Sequence, residues 1–94
     1  MKDILLVNKI NHKDYSSEKQ KVFFQIGGIH IPRVEGRLME LIGSNRLIDE
    51  KDVVYKYNGF EVNILTQSIP ILVKILAENN IPIFGVYAIY IPRL

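Results

Sequence analysis

Reactive side chains are sparse in this sequence. There are two histidines, His12 and His30, and no cysteine. The missing cysteine removes disulfides and thiolate zinc sites. His12 stands close to Asp14 in a polar stretch, but a metal site needs a full set of convergent ligands, so this pair reads as a solvated loop. Ser16, Ser17, Ser44 and Ser68 fall where turns and helix caps are expected. No nucleophile-elbow, P-loop or dinucleotide-binding pattern is present. The remaining candidate is an anion site. Gly27-Gly28 precedes a helix and could turn backbone N–H groups toward a phosphate, with His30 and Arg33 beside it. The three residues between Gly28 and Pro32 make it a poor match to phosphate cradles. The expectation is therefore a non-enzymatic domain that calls for no cofactor and no metal, with a small-molecule or anion binder built on Gly27, Gly28, His30 and Arg33 as the alternative.

Such residues need elements to hold them, and the clearest is a hairpin around Asn58-Gly59, between two β-rich runs. With Asn58 and Gly59 as the turn, Tyr57 opposes Phe60, Lys56 opposes Glu61 and Val53 opposes Ile64. One face then reads Val53, Tyr55, Tyr57, Phe60, Val62 and Ile64, and the other Val54, Lys56, Glu61 and Asn63. Before the hairpin, Val34, Leu38, Leu41 and Ile42 recur at helical spacing over Arg33 to Ile42, with Pro32 in the first turn and Gly43 at the stop. After it, Ser68 is a plausible cap, Pro70 suits the first turn, and Leu72, Val73, Ile75 and Leu76 make an apolar face that ends before Asn79-Asn80. Lys21 to Ile31 and Ile83 to Ile91 read as strands, the first interrupted at Gly27-Gly28 by a bulge or a close backbone approach.

The order strand, helix, strand, strand, helix, strand predicts a ferredoxin-like βαββαβ sandwich, an antiparallel sheet with two helices on one face. Residues 1–94 form one domain, with the core over 21–91. Residues 1–20 supply an extra strand at Ile4 to Ile10 and a polar loop. An I-x-I-P-R pattern repeats at Ile29–Arg33 and Ile89–Arg93, where proline stops a strand.

An antiparallel sheet covered on one side leaves its other side open. The residues expected there are Phe23, Val54, Phe84, Val86 and Tyr90, with Ala88 beside them, a half-apolar face suited to a second copy of the chain or another protein. The leading functional expectation is a protein-interaction or regulatory module that self-associates, as a homodimer, or docks through this face. Single-stranded nucleic acid is the third option. It is argued against by Asn58-Gly59-Phe60-Glu61-Val62-Asn63-Ile64, which lacks the leading basic residue and second aromatic of an RNA-recognition strand and carries Glu61 where phosphate would lie. A net charge of +2 with no basic stripe points the same way. No run is long and apolar enough for a bilayer span or a signal-peptide core, so the expected compartment is the cytoplasm, without membrane insertion.

Residues 59–87 have a further cadence. Gly59-Phe60-Glu61-Val62-Asn63-Ile64 leads into an apolar helix, followed by Ile75-Leu76-Ala77-Glu78-Asn79-Asn80-Ile81-Pro82-Ile83-Phe84-Gly85-Val86. This stretch resembles the accessory domain that follows the ATPase in drug- and lantibiotic-exporting ABC transporters, where a strand, a helix ending in L-x-E-x-x-I and a last strand follow one another. The resemblance implies a non-catalytic regulatory or docking module.

Overall fold

Alternation of apolar residues builds the central strand. In a computed structural model that describes residues 7, 8 and 10–89, Val22, Phe24 and Ile26 point to one side of β2 (Lys19–Ile26) and join the core. On β4 (Gly59–Leu65), Phe60, Val62 and Ile64 do the same and are fully buried. The two strands pair antiparallel with Val22 opposite Val62 and Phe24 opposite Phe60, and the two phenyl rings stack at 5.0 Å.

Two helices close that side. Over α1 (Pro32–Ser44), Leu38 and Ile42 are buried, one turn apart, with Val34 and Leu41 half-buried beside them. The proline occupies the first turn, where its missing N–H costs nothing. Over α2 (Ile69–Glu78), Ile69, Leu72 and Leu76 are buried. Ser68 stands at the N-cap but makes no side-chain cap bond. The helix ends at Asn79, and Asn80 takes a left-handed φ of 61°, a conformation asparagine tolerates better than most residues.

The sheet order is β1–β5–β2–β4–β3, with β1 (Val7–Asn8), β3 (Val53–Lys56) and β5 (Ile83–Ile89). Every pair in it is antiparallel. The last four strands in that order form the ferredoxin-like βαββαβ arrangement, and β1 extends it beyond β5, with Val7 opposite Ile89. The predicted strand at Ile4 to Ile10 thus pairs at a sheet edge where residues 7 and 8 are concerned; positions 4–6 and 9 lie outside the described residues.

Four local expectations are corrected. The hairpin pairs Lys56 with Gly59, Tyr55 with Phe60 and Val53 with Val62, so its turn is Tyr57-Asn58. The register differs by two residues from the expected one. Neither Asn58 nor Gly59 has a positive φ, because Gly59 answers to a different demand: a Cβ there would collide with the Phe24 carbonyl and lie 2.8 Å from the Phe23 ring. Tyr57 is consequently not a core residue but is 84% exposed at the hairpin tip. Second, the strand expected to reach Ile31 ends at Ile26, and His30 lies exposed in the turn that follows. Third, α1 runs through Gly43 to Ser44.

The fourth correction concerns β5. Gln25 pairs with Gly85 while Ile26 pairs with Ile83, which leaves Phe84 as the extra residue of a β-bulge. Ile83, Val86 and Ala88 therefore belong to the helix-covered side: Val86 stands opposite Phe24, and Ala88 opposite Val22. Tyr87 and Ile89 take the other side.

Candidate functional site on the open sheet face

Residues of odd number on β2 and β4, and on β5 from Gly85 onward, point away from the helices. Phe23 and Gln25 on β2 meet Glu61 and Gly59 on β4 and Tyr87 and Gly85 on β5. Both glycines matter here, because neighbouring atoms stand close to where a Cβ would be. The Phe23 ring covers Gly59, and the Tyr87 ring lies 3.4 Å from where a Cβ of Gly85 would be. At Gly59 this is an aromatic laid over a cross-strand glycine, which restores the packing the glycine omits; at Gly85 the atom nearest that position is Gln25 Oε1, 3.2 Å away on the paired strand. The two rings lie 5.5 Å apart, tilted by 33°, within the range of favourable aromatic pairs.

A shallow depression of about 220 Å³ lies beside this pair, lined by Phe23, Lys56, Tyr57, Glu61, Tyr87 and Ile89. Glu61 sets its electrostatics. Its carboxylate lies 3.8 Å from Lys21 Nζ and 3.7 Å from Lys56 Nζ. The lysines come from the strands on either side, so the three charges form a cross-strand row. The expected Lys56–Glu61 pair is present, but diagonally rather than directly opposed. Burial raises the Tyr87 phenol above its ordinary pKa, so it stays a neutral hydrogen-bonding group at physiological pH. The site thus offers apolar area, a phenol and a short mixed-charge row. This chemistry suits an apolar side chain with polar neighbours.

The five residues expected on this face divide. Phe23 is at its centre, only 7% exposed under its neighbours, and Val54 is at its β3 margin, 47% exposed. Val86 is half-buried against the core, on the helix-covered side. Phe84 is 73% exposed, but it sits at the bulge with its ring over Gly27, off the regular face. Tyr90 lies outside the described residues. Tyr87 and Ile89 were absent from the expected set, because a strand apolar on both sides carries no signal for which side is covered.

The alternative anion site is not assembled as a cradle. Gly28 has a φ of 68°, and the Ile31 amide closes the turn on its carbonyl at 2.9 Å. The Phe84 ring fills the space beside Gly27, and Ile31 Cδ1 comes within 3.3 Å of where a Cβ of Gly28 would stand. Both glycines therefore face apolar side chains. Arg33 lines a groove of about 650 Å³ between the start of α1 and the end of α2, with Arg37, Glu40, Asn79 and Asn80. Arg37 is already engaged there, donating to Asn79 Oδ1 at 2.6 Å and lying 3.6 Å from Glu40.

A second polar cluster holds the loop before β2. Thr66 is the buried polar residue of the described chain. Its hydroxyl accepts from Gln20 Nε2 and donates to Asp14 Oδ2 at 3.0 Å. Gln67 Nε2 donates to the carbonyls of His12 and Asp14. All of these groups are used in fixing the loop, and His12 contributes its backbone, not its ring. Among the described residues no group of His, Asp and Glu is placed to hold a metal ion, and no helix is long and apolar enough to cross a membrane. No family model, curated protein or solved structure matches this chain.

Proposed function

We propose that this domain is a non-enzymatic protein-interaction or regulatory module that docks another protein on its open sheet face and works in the cytoplasm. The observation that carries the reading is the Phe23–Tyr87 pair on the side without helices, beside a depression bounded by Lys56 and Glu61. Aromatic residues supply much of the energy at protein interfaces, with a polar rim around them. The Lys21–Glu61–Lys56 row adds a polar rim on one side and disfavours partners that present a single sign of charge. The resemblance of residues 59–87 to a transporter accessory domain agrees with a docking role, and those residues form β4, α2 and most of β5.

The test is a selection. A random peptide library is panned on the wild-type domain and counter-selected on Tyr87→Ser. The expected winners carry an aromatic or aliphatic anchor and lose binding to Tyr87→Ser while that variant still melts cooperatively. Winners that bind both forms equally, or no winners at all, would sink the reading.

A further inference from the structure

The chain has seven asparagines, and Asn58 is the one followed by glycine. Asparagine is among the thermolabile residues, because the backbone nitrogen after it can attack the side-chain Cγ and close a five-membered imide. A side chain on the following residue hinders that approach, and glycine has none. The glycine here is fixed by packing: a Cβ at Gly59 would overlap the Phe24 carbonyl and crowd the Phe23 ring. The demand that brings β4 close to β2 therefore leaves an unhindered nucleophile beside Asn58. The fold also restrains it. Lys56 and Gly59 close the two-residue turn as a hydrogen-bonded pair, so the Gly59 amide donates to the Lys56 carbonyl. On the other side, the Ile26 amide donates to the Asn58 carbonyl at 2.9 Å. The peptide unit between Asn58 and Gly59 is thus held at both ends, by β3 through its N–H and by β2 through its C=O. Gly59 is buried and Asn58 half-buried. Imide closure must turn this peptide unit toward Cγ, which breaks both bonds.

We propose that Asn58 is a site of spontaneous deamidation which the fold holds in check, reacting when the β3–β4 turn opens. With the peptide unit released, the Gly59 nitrogen gives up its proton and bonds to Asn58 Cγ. The Cγ–Nδ2 bond breaks, and Nδ2 leaves as ammonia with that proton. Water then opens the imide. Attack at Cγ leaves aspartate on an unchanged backbone. Attack at the backbone carbonyl carbon leaves isoaspartate, in which the chain runs through Cβ and Cγ and is one carbon longer. The sum is amide plus water to acid plus ammonia, with no oxidant or cofactor. The longer backbone cannot keep Lys56 opposite Gly59 and position 58 on Ile26 together, so this product leaves the turn open and the event is permanent. Asn58 lines the depression on the open face, so either product adds a negative charge at its edge. The reaction itself is independent of what binds there.

The test incubates the full chain at one temperature and mildly alkaline pH, unfolded in guanidinium chloride and folded in sodium chloride of the same ionic strength. Peptide mapping by mass spectrometry reads the conversion of amide to acid at each asparagine, and enzymatic methylation of isoaspartate reads the lengthened product. In the unfolded chain Asn58 should react first among the seven asparagines. In the folded chain its loss should be slower by about tenfold or more, since a bonded, buried amide reacts only through rare opening. Lys56→Pro removes the amide that supplies the second bond of the turn pair, at an edge strand. With its melting cooperative, this variant should lose the Asn58 amide several-fold faster than folded wild type. Equal rates in folded and unfolded wild type would overturn the proposal, as would an unfolded chain in which another asparagine reacts before Asn58. So would a cooperatively melting Lys56→Pro that reacts no faster than wild type. The wild-type comparison decides alone where that variant does not melt cooperatively.

Discussion

Two glycines with opposite surroundings give opposite expected responses to alanine. Gly36 lies inside α1, exposed, and a Cβ there meets nothing within 4 Å. Gly36→Ala restricts the unfolded chain and removes the helix penalty of glycine, a gain of about 1 kcal/mol. Gly59 lies under Phe23 and against the β2 backbone, where a Cβ would overlap the Phe24 carbonyl and come 2.8 Å from Phe23 Cζ. Backbone cannot give way as a side-chain end can, so β2 and β4 must separate. Overpacking of this kind costs about 1–3 kcal/mol or more. In a domain of this size 1 kcal/mol moves the melting midpoint by roughly 4–8 °C. Calorimetry should therefore show Gly36→Ala rising by about that much and Gly59→Ala falling by roughly 4–24 °C. Gly59→Asn separates the two explanations for this glycine. Asparagine tolerates a left-handed turn position, so a turn role would make it milder than alanine, whereas close approach makes it at least as harmful. A Gly59→Ala midpoint equal to wild type, or Gly59→Asn milder than Gly59→Ala, would refute the packing argument.

Phe60→Ala removes a fully buried ring stacked on Phe24 and should cost about 3–5 kcal/mol, a large part of the roughly 5–14 kcal/mol expected for such a domain; a urea titration reads it. Glu61→Gln loses two ion pairs whose lysines are 39% and 46% exposed, so its unfolding free energy, read from urea titration, should change by less than about 1 kcal/mol. Asp14 accepts hydrogen bonds from the Ser16 amide and hydroxyl and from the Thr66 hydroxyl, which hold its carboxyl below the ordinary value. Its stabilisation is present above the unfolded pKa of about 3.9 and is lost as pH falls through the lower folded value. The stability gap between wild type and Asp14→Asn should be constant near neutral pH and close only in that acid range, in urea midpoints measured across pH.

The faces of the hairpin were legible because side chains alternate with a period of two. The same periodicity hid the register: a shift of two residues moves every partner but no side chain to the other face. Val53, Tyr55, Phe60 and Val62 therefore point as expected, yet Tyr55, not Tyr57, sits beside Phe60, with ring centres 6.4 Å apart. Asn58-Gly59 carried the sequence of a left-handed turn, and the competing need for room against Phe24 could not be read locally. Both helices were legible from apolar spacing with proline near each start. On β5, apolar residues on both sides left the covered side open, and the bulge at Phe84 broke the alternation from Ile83 to Val86. That is why alternation locates Phe23 and Val54 on the open face but not Val86, and why it carries no signal for Tyr87.

The most direct test of the docking face is amide mapping by nuclear magnetic resonance, with the best selected peptide titrated into isotope-labelled domain. Shifts should cluster on Phe23, Glu61, Tyr87 and Ile89 and vanish in Tyr87→Ser. Shifts that cluster instead on Arg33, Arg37 and Asn79, in the groove between the helices, would contradict it.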